Sequence, residues 1–75
     1  MAALPILSGR EVVRVFARDG WRRIRQRGSH MILVKDGHMT TLSVPDHTEV
    51  AKGTLRSLIR ASGLTAEQFV ALVQK

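Results

Sequence analysis

The stretch WRRIRQRGSHMILVKDGHMTTLSV, residues 21–44, decides the fold. It contains segments rich in bulky and β-branched residues, separated by the turn dipeptides Gly28-Ser29 and Asp36-Gly37. Asp36-Gly37 suits a type I′ turn, which needs positive φ at both central positions. We predict three strands paired as an antiparallel meander, at about 21–27, 30–35 and 38–44. In the middle strand both rows of side chains are largely apolar, so periodicity leaves open which row is buried.

A helix is predicted immediately before this stretch. Ser8 and Glu11 have the spacing of a capping box, in which each residue hydrogen-bonds the backbone amide of the other. Gly20 is suited to close the helix because glycine adopts the left-handed conformation. Arginines fall opposite the apolar stripe, which consists of Val12, Val13, Phe16 and Ala17.

Two more helices are predicted after the strands. Pro45 stops the third strand, and residues 46–52 cross over to a helix that ends at Gly63. Thr65 and Gln68 form a second predicted capping box, which opens the last helix. The apolar stripes of these helices are Leu55, Leu58 and Ile59, and then Phe69, Leu72 and Val73.

The order of these elements predicts an α+β two-layer sandwich, with a three-stranded antiparallel sheet and helices on one face. Its other face is then open to solvent or to a ligand. The 75 residues, 44% of them hydrophobic, allow one small core, so we expect a single domain over 1–75. The chain has no cysteine, which excludes a disulfide framework, a zinc ribbon and a thiol nucleophile.

The charge is strongly basic. Twelve Lys and Arg oppose six Asp and Glu, which gives a net charge of +6. Arginine presents a planar fork of donors that fits phosphate, so the excess points first to nucleic acid, although an acidic protein partner fits as well. No apolar run approaches the roughly 20 residues that span a bilayer, and the first eight residues are too short for a secretion signal. We therefore expect a cytoplasmic protein that does not bind membranes.

His30 is the main catalytic candidate. It follows a turn and comes after four cations in six positions, namely Arg22, Arg23, Arg25 and Arg27. A histidine among phosphate-binding arginines can accept a proton from an RNA 2′-hydroxyl or donate one to the leaving 5′-oxygen. Strand alternation predicts that Arg23, Arg25 and Arg27 share one face. The alternatives are a packing histidine and a solvated cationic strand.

Other residues are further candidates for the site. His47 is a possible second acid/base group, as is Lys35, whereas His38 at a hairpin end is expected to be solvent-exposed. Trp21 suits stacking on a base, but a core position is the more common use of tryptophan. The histidines match no metal-ligand spacing, so neither a metal nor another cofactor is predicted.

A helix N-terminus supplies a further candidate site. The residues Lys52, Gly53 and Thr54 lead into the second helix, where free amides, the helix dipole and a lysine together attract an anion. Plain capping of the helix by Thr54, without a ligand, explains the same residues equally well.

Several motifs, in this order, closely resemble the HicA (YcfA-like) family of small toxins from bacterial and archaeal toxin–antitoxin pairs. The resemblance covers residues 8–69 and is carried by Gly20-Trp21, Arg25-Gln26, Gly28-Ser29-His30, Asp36-Gly37, Val44-Pro45 with His47, Lys52-Gly53-Thr54-Leu55-Arg56 and Ala61-Ser62-Gly63-Leu64. The sequence departs from the pattern only in having a tryptophan at Trp21 and an extra run before the first helix.

The resemblance implies a fold similar to the double-stranded RNA-binding domain, in the order α-β-β-β-α, here with a short extra C-terminal helix. It also implies ribosome-independent cleavage of mRNA, with His30 as the catalytic residue. The implied partner is a HicB-type antitoxin that covers this histidine.

Three hypotheses follow. The first is a metal-independent endoribonuclease in which His30 moves protons and the RNA backbone is held by Arg22, Arg23, Arg25, Arg27, Ser29, Lys52, Gly53 and Thr54. The second is a non-catalytic RNA-binding module that grips RNA by its shape. The third is an interaction protein whose cations serve only an acidic partner.

Overall fold

The computed structural model describes residues 3–75 and has the predicted order of elements. The elements are α1 (Gly9–Ala17), β1 (Arg22–Arg27), β2 (His30–Val34), β3 (Leu42–Pro45), α2 (Lys52–Ser62) and α3 (Ala66–Val73). The strands form one antiparallel sheet in the order β1-β2-β3. The predicted α+β architecture is confirmed.

Both predicted capping boxes are present. The Ser8 hydroxyl accepts a hydrogen bond from the Glu11 amide at 3.1 Å, and the Ser8 amide donates to the Glu11 carboxylate at 2.8 Å. The bond from the Ser8 amide is the main cause that lowers the pKa of Glu11, because it stabilises the charged carboxylate. Thr65 and Gln68 form the same pair of bonds at the start of α3. These caps fix where α1 and α3 begin.

The core lies between one face of the sheet and the helices. Met31 and Leu33 of β2, together with Leu42 and Val44 of β3, are almost completely buried. The rings of Phe16 in α1 and Phe69 in α3 lie 5.2 Å apart in the same core. Because side chains alternate along a strand, His30, Ile32 and Val34 lie on the opposite, open face of the sheet. Trp21 is also buried, and its ring lies 6.3 Å from that of Phe16.

The turn after β2 differs from the prediction. Gly37 has a φ of 79°. Every positive φ among residues 3–75 belongs to a glycine, so the φ of Asp36 is negative. With the Lys35 carbonyl accepting from the His38 amide at 3.0 Å, this is the pattern of a type II turn, not the predicted type I′. A type II turn splays the flanking strands. The predicted strand start at His38 is therefore wrong, and β3 begins only at Leu42.

The start of α1 packs directly against the end of β3. Gly9 is buried, its amide donates to the His47 carbonyl at 2.9 Å, and a Cβ at this position would overlap the Pro45 carbonyl oxygen. A second bond, from the Val50 amide to the Leu7 carbonyl at 2.8 Å, ties the following loop to the segment before α1. Residues 46–50 are thus held in place by backbone contacts.

We predict that Gly9→Ala destabilises the fold by about 2 kcal/mol, because the added methyl group must push apart two backbone segments. The matched control is Gly53→Ala in the first turn of α2, where a Cβ meets nothing within 4 Å. Alanine there is expected to stabilise the protein by about 0.5–1 kcal/mol, because the unfolded chain loses freedom. Urea unfolding of both variants measures the difference. Equal stabilities would contradict the close approach at Gly9.

Candidate functional site

His30 begins β2, directly after a two-residue turn. Gly28 has a φ of 60° and Ser29 does not have positive φ, which is the pattern of a type II′ turn. This turn matches the twist of a hairpin, so pairing continues up to the turn and places Arg27 opposite His30. On its other side His30 pairs with Pro45 of β3. His30 therefore lies at one end of the central strand, between two paired neighbours.

The environment of His30 is open and cationic. Its neighbour Met31 is 1% exposed in the core, whereas His30 itself is exposed on the opposite face. Residues directly opposite each other in an antiparallel pair point to the same face. Arg27 thus shares the open face with His30, and Arg25, opposite Ile32, shares it one step further along. An exposed imidazole on the same face as two arginines can accept a proton from a hydroxyl next to a phosphodiester, or donate one to a leaving oxygen, while the guanidinium groups attract the phosphate.

The arginines of β1 do not all share this face. The register shifts between Arg23 and Arg25, with Arg23 opposite Leu33 and Arg25 opposite Ile32. This bulge inserts one extra residue and reverses the alternation. Because Leu33 is buried, Arg23 lies on the helix-facing side of the sheet. The prediction that Arg23, Arg25 and Arg27 share one face is therefore wrong.

Arg22 lies on the open face but at the far end of β1. It pairs with Val34, four residues from His30, or about 13 Å along the strand. Its guanidinium forms an exposed ion pair with Asp36 at 3.1 Å. The open-face cations near His30 on β1 are therefore Arg25 and Arg27.

The two candidates for a second acid/base group lie at different ends of the sheet. Lys35 comes five residues after His30, about 16 Å along the strand, and its ammonium pairs with Asp19 at 3.1 Å. The structure therefore separates Lys35 from His30. His47 is exposed and comes two residues after Pro45, the residue paired with His30.

The loop that carries His47 is tied to the turn that precedes His30. The Asp46 amide donates to the Ser29 carbonyl at 2.7 Å, and the Asp46 carboxylate lies 3.4 Å from the Arg10 guanidinium. Sequence reasoning missed Asp46, because a backbone hydrogen bond carries no side-chain signature. Ser29, His30 and His47 thus belong to one connected end of the sheet.

The start of α2 has no side-chain cap. The residue in the N-cap position is Ala51, and Thr54 lies inside the helix, so the interpretation of Thr54 as the cap is wrong. Lys52, Gly53 and Thr54 are exposed, and the first turn contains no acidic residue. Free amides at the positive end of the helix dipole, beside a lysine, attract anions.

His38 is not free in solvent, contrary to the expectation from sequence. Its ring is half-buried, lies 4.8 Å from the Trp21 ring in an edge-to-face arrangement, and hydrogen-bonds the Ala61 carbonyl at 3.0 Å. The type II turn releases residues 38–41 from the ladder, so His38 reaches α2. His38 and Trp21 are therefore structural residues, and Trp21 is not available to stack on a base.

Comparison with known proteins decides the family. The family model of the HicA toxin of bacterial toxin–antitoxin systems matches residues 9–64. The chain belongs to the HicA toxin family. The matched range includes the exposed His30, the loop with His47 and the uncapped start of α2. A search of curated protein sequences found no match.

A solved structure supports the same relationship. A chain of a toxin–antitoxin complex from Streptococcus pneumoniae is 29% identical to this HicA toxin, with a TM-score of 0.69. The alignment covers 77% of this chain and 98% of the other. Within residues 3–75, no group of three or more His, Cys, Asp or Glu side chains is arranged to hold a metal ion. No helix in that range has both the length and the hydrophobicity to cross a membrane.

Proposed function

We propose that this HicA toxin is an endoribonuclease that cleaves mRNA independently of the ribosome, with His30 as its general acid/base. The observation that carries the proposal is the position of His30, exposed on the open face of the sheet with Arg27 directly opposite and Arg25 nearby. Family membership supports it, because the motif Gly28-Ser29-His30 lies within the matched residues. The site of action in the cell is the cytoplasm, where mRNA is found.

The proposed chemistry is an internal transesterification of RNA. The 2′-hydroxyl loses its proton and its oxygen bonds to phosphorus, while the bond from phosphorus to the 5′-oxygen breaks and that oxygen gains a proton. The products are a 2′,3′-cyclic phosphate and a free 5′-hydroxyl. His30 performs one of these proton transfers, and the guanidinium groups of Arg25 and Arg27 offset the charge that develops on the phosphoryl oxygens. The reaction needs no metal in this scheme.

His47 is proposed as the second proton-transfer group, since its loop is hydrogen-bonded to the turn before His30. Lys52 and the free backbone amides of Gly53 and Thr54 are proposed to bind a neighbouring phosphate, because the N-cap residue Ala51 provides no side-chain hydrogen bond to them. The turn residue Ser29 contributes its hydroxyl to the RNA backbone. Arg22 adds a more distant contact on the same face.

The proposed protein partner is an antitoxin of the HicB type that covers His30. The open face suits such a partner, because the half-buried Ile32 and Val34 lie among arginines. Protein interfaces commonly combine an apolar centre with a charged rim. The similarity to a chain from a toxin–antitoxin complex supports this assembly.

Replacement of His30 tests the catalytic proposal. We predict that His30→Ala lowers the rate of RNA cleavage by a factor of about 10²–10⁴, because one proton transfer loses its catalyst. Folding should be preserved, since the side chain is exposed. Single-turnover cleavage of a labelled mRNA fragment, with and without EDTA, measures the effect.

Equal cleavage by the wild type and His30→Ala would overturn the assignment. Loss of wild-type cleavage in EDTA would overturn metal independence. RNA that stays intact after prolonged incubation with the wild type, yet is bound, would favour the non-catalytic RNA-binding module.

The arginines of the open face give a second prediction. In a His30→Ala background, in which cleavage is slowed, Arg25→Ala with Arg27→Ala is expected to weaken RNA binding about tenfold or more. The slope of log K against log salt should fall by about 1.4, since each phosphate contact on a single strand contributes about 0.7.

The matched control removes two exposed cations elsewhere, by Arg60→Ala with Lys75→Ala. Arg60 lies in the last turn of α2 and Lys75 follows α3, so a smaller loss of affinity is expected. Equal losses in the two double variants would mean that overall charge, not the surface around His30, determines affinity.

A further inference from the structure

A second basic surface lies on the other side of β1 from His30. It is a groove of about 450 Å³ between α1 and β1, lined by Arg10, Val13, Arg14, Arg23, Gln26 and Met31. This volume falls within the range of about 300–1,000 Å³ that is usual for ligand sites. The groove opens on the helix-facing side of the sheet, so it is distinct from the surface that carries His30.

The bulge in β1 creates this groove. Without the register shift, Arg23 would lie on the same face as Arg25 and Arg27. With it, Arg23 and Gln26 pair with the buried residues Leu33 and Met31 and lie beside α1. Because β1 is an edge strand, the side chains of Arg23 and Gln26 lie beside the core and not within it, and both remain exposed.

Helix α1 supplies the other wall. Arg10 and Arg14 are one turn apart and lie together on the same side of the helix. Arg18, the next residue in this row, is already used, because its guanidinium donates to the carbonyls of Leu72 at 2.6 Å and Val73 at 3.3 Å at the end of α3. Arg10 and Arg14 form no such contact with α3. Within this row, Arg18 therefore stabilises the fold, whereas the guanidinium groups of Arg10 and Arg14 face the groove.

The charges in the groove are incompletely balanced. None of the carboxylates within residues 3–75 lines it. Arg10 forms an ion pair with Asp46 at 3.4 Å, but within residues 3–75 neither Arg14 nor Arg23 forms one. Like charges one helical turn apart destabilise a helix, and three guanidinium groups around one groove repel each other. A bound anion would remove this repulsion.

The lining indicates what kind of anion fits. Half-buried Val13 and buried Met31 contribute apolar surface, Gln26 contributes a neutral amide and the arginines contribute paired donors. A nucleotide unit has the matching parts, because its phosphate accepts from arginine while its sugar and base cover apolar surface. The open-face cations Arg25 and Arg27 belong to the same edge strand, on its opposite side.

We propose that the groove formed by Arg10, Arg14 and Arg23 is a second RNA-binding subsite. One RNA molecule binds at His30 on the open face, passes over the edge of β1, and places its sugar-phosphate backbone in the groove. The inference rests on the proposed function, which it extends by making the enzyme's affinity depend on RNA length. A short oligonucleotide fills only the His30 face, whereas a longer one also occupies the groove.

A length series of RNA oligonucleotides tests the subsite. In the His30→Ala background, affinities are measured by fluorescence anisotropy for single-stranded RNAs of about 4 to about 16 nucleotides, the span of common single-strand sites. The parent protein is expected to gain at least tenfold in affinity from the shortest to the longest RNA. Arg14→Ala with Arg23→Ala should lose most of this gain and leave binding of the shortest RNA within about twofold.

The control is Arg60→Ala with Lys75→Ala, which removes two charges outside the groove and should keep the length dependence. Equal gains with length in the groove variant and its parent would overturn the subsite, as would equal weakening at every length. Unchanged RNA binding with loss of an acidic protein partner would reassign the groove to that partner. The proposed function is tested separately, by comparing the rates of RNA cleavage by the wild type and His30→Ala.

Discussion

Burial of one row of side chains in β2 is the constraint on which the rest of the structure depends. Met31 and Leu33 pack with Leu42 and Val44 of β3 against the helices. Because side chains alternate strictly along a strand, this burial fixes His30 on the open face. A slip of one residue would exchange the rows and bury the imidazole in an apolar core. The hydrophobic core and the candidate catalytic site are therefore set by the same register.

Three local features then shape what surrounds His30. The type II′ turn at Gly28-Ser29 keeps β1 paired up to Arg27, so a cation lies directly opposite the imidazole. The bulge after Arg23 divides the arginines of β1 between the two faces. Backbone contacts of Gly9 and Asp46 hold the loop with His47 near the same end of the sheet. One small domain thereby presents cations on both sides of a single edge strand.

Local chemistry explains which parts were predictable from sequence. The caps at Ser8 and Thr65, the order of elements and the burial of Trp21 depend on residues close in sequence or on strong apolar patterns. The predictions of the turn type and of the β1 arginine faces were wrong because each depends on a backbone conformation that the local side chains specify weakly. Asp36-Gly37 is compatible with more than one turn type, and the arginine-rich β1 has no buried row that reveals where alternation breaks. His38 lies against Trp21 through a contact between distant segments, which its place at a hairpin end does not reveal.

The most direct test of the central claim, that His30 performs acid/base transesterification on the open face, is the chemical identity of the RNA ends released by the wild-type protein. Mass spectrometry of a cleaved oligonucleotide of defined sequence distinguishes the possible ends. We expect a 2′,3′-cyclic phosphate, or the 3′-phosphate formed when it hydrolyses, on one fragment and a 5′-hydroxyl on the other. A 3′-hydroxyl with a 5′-phosphate would contradict it, because those ends require water, not the 2′-oxygen, as the nucleophile.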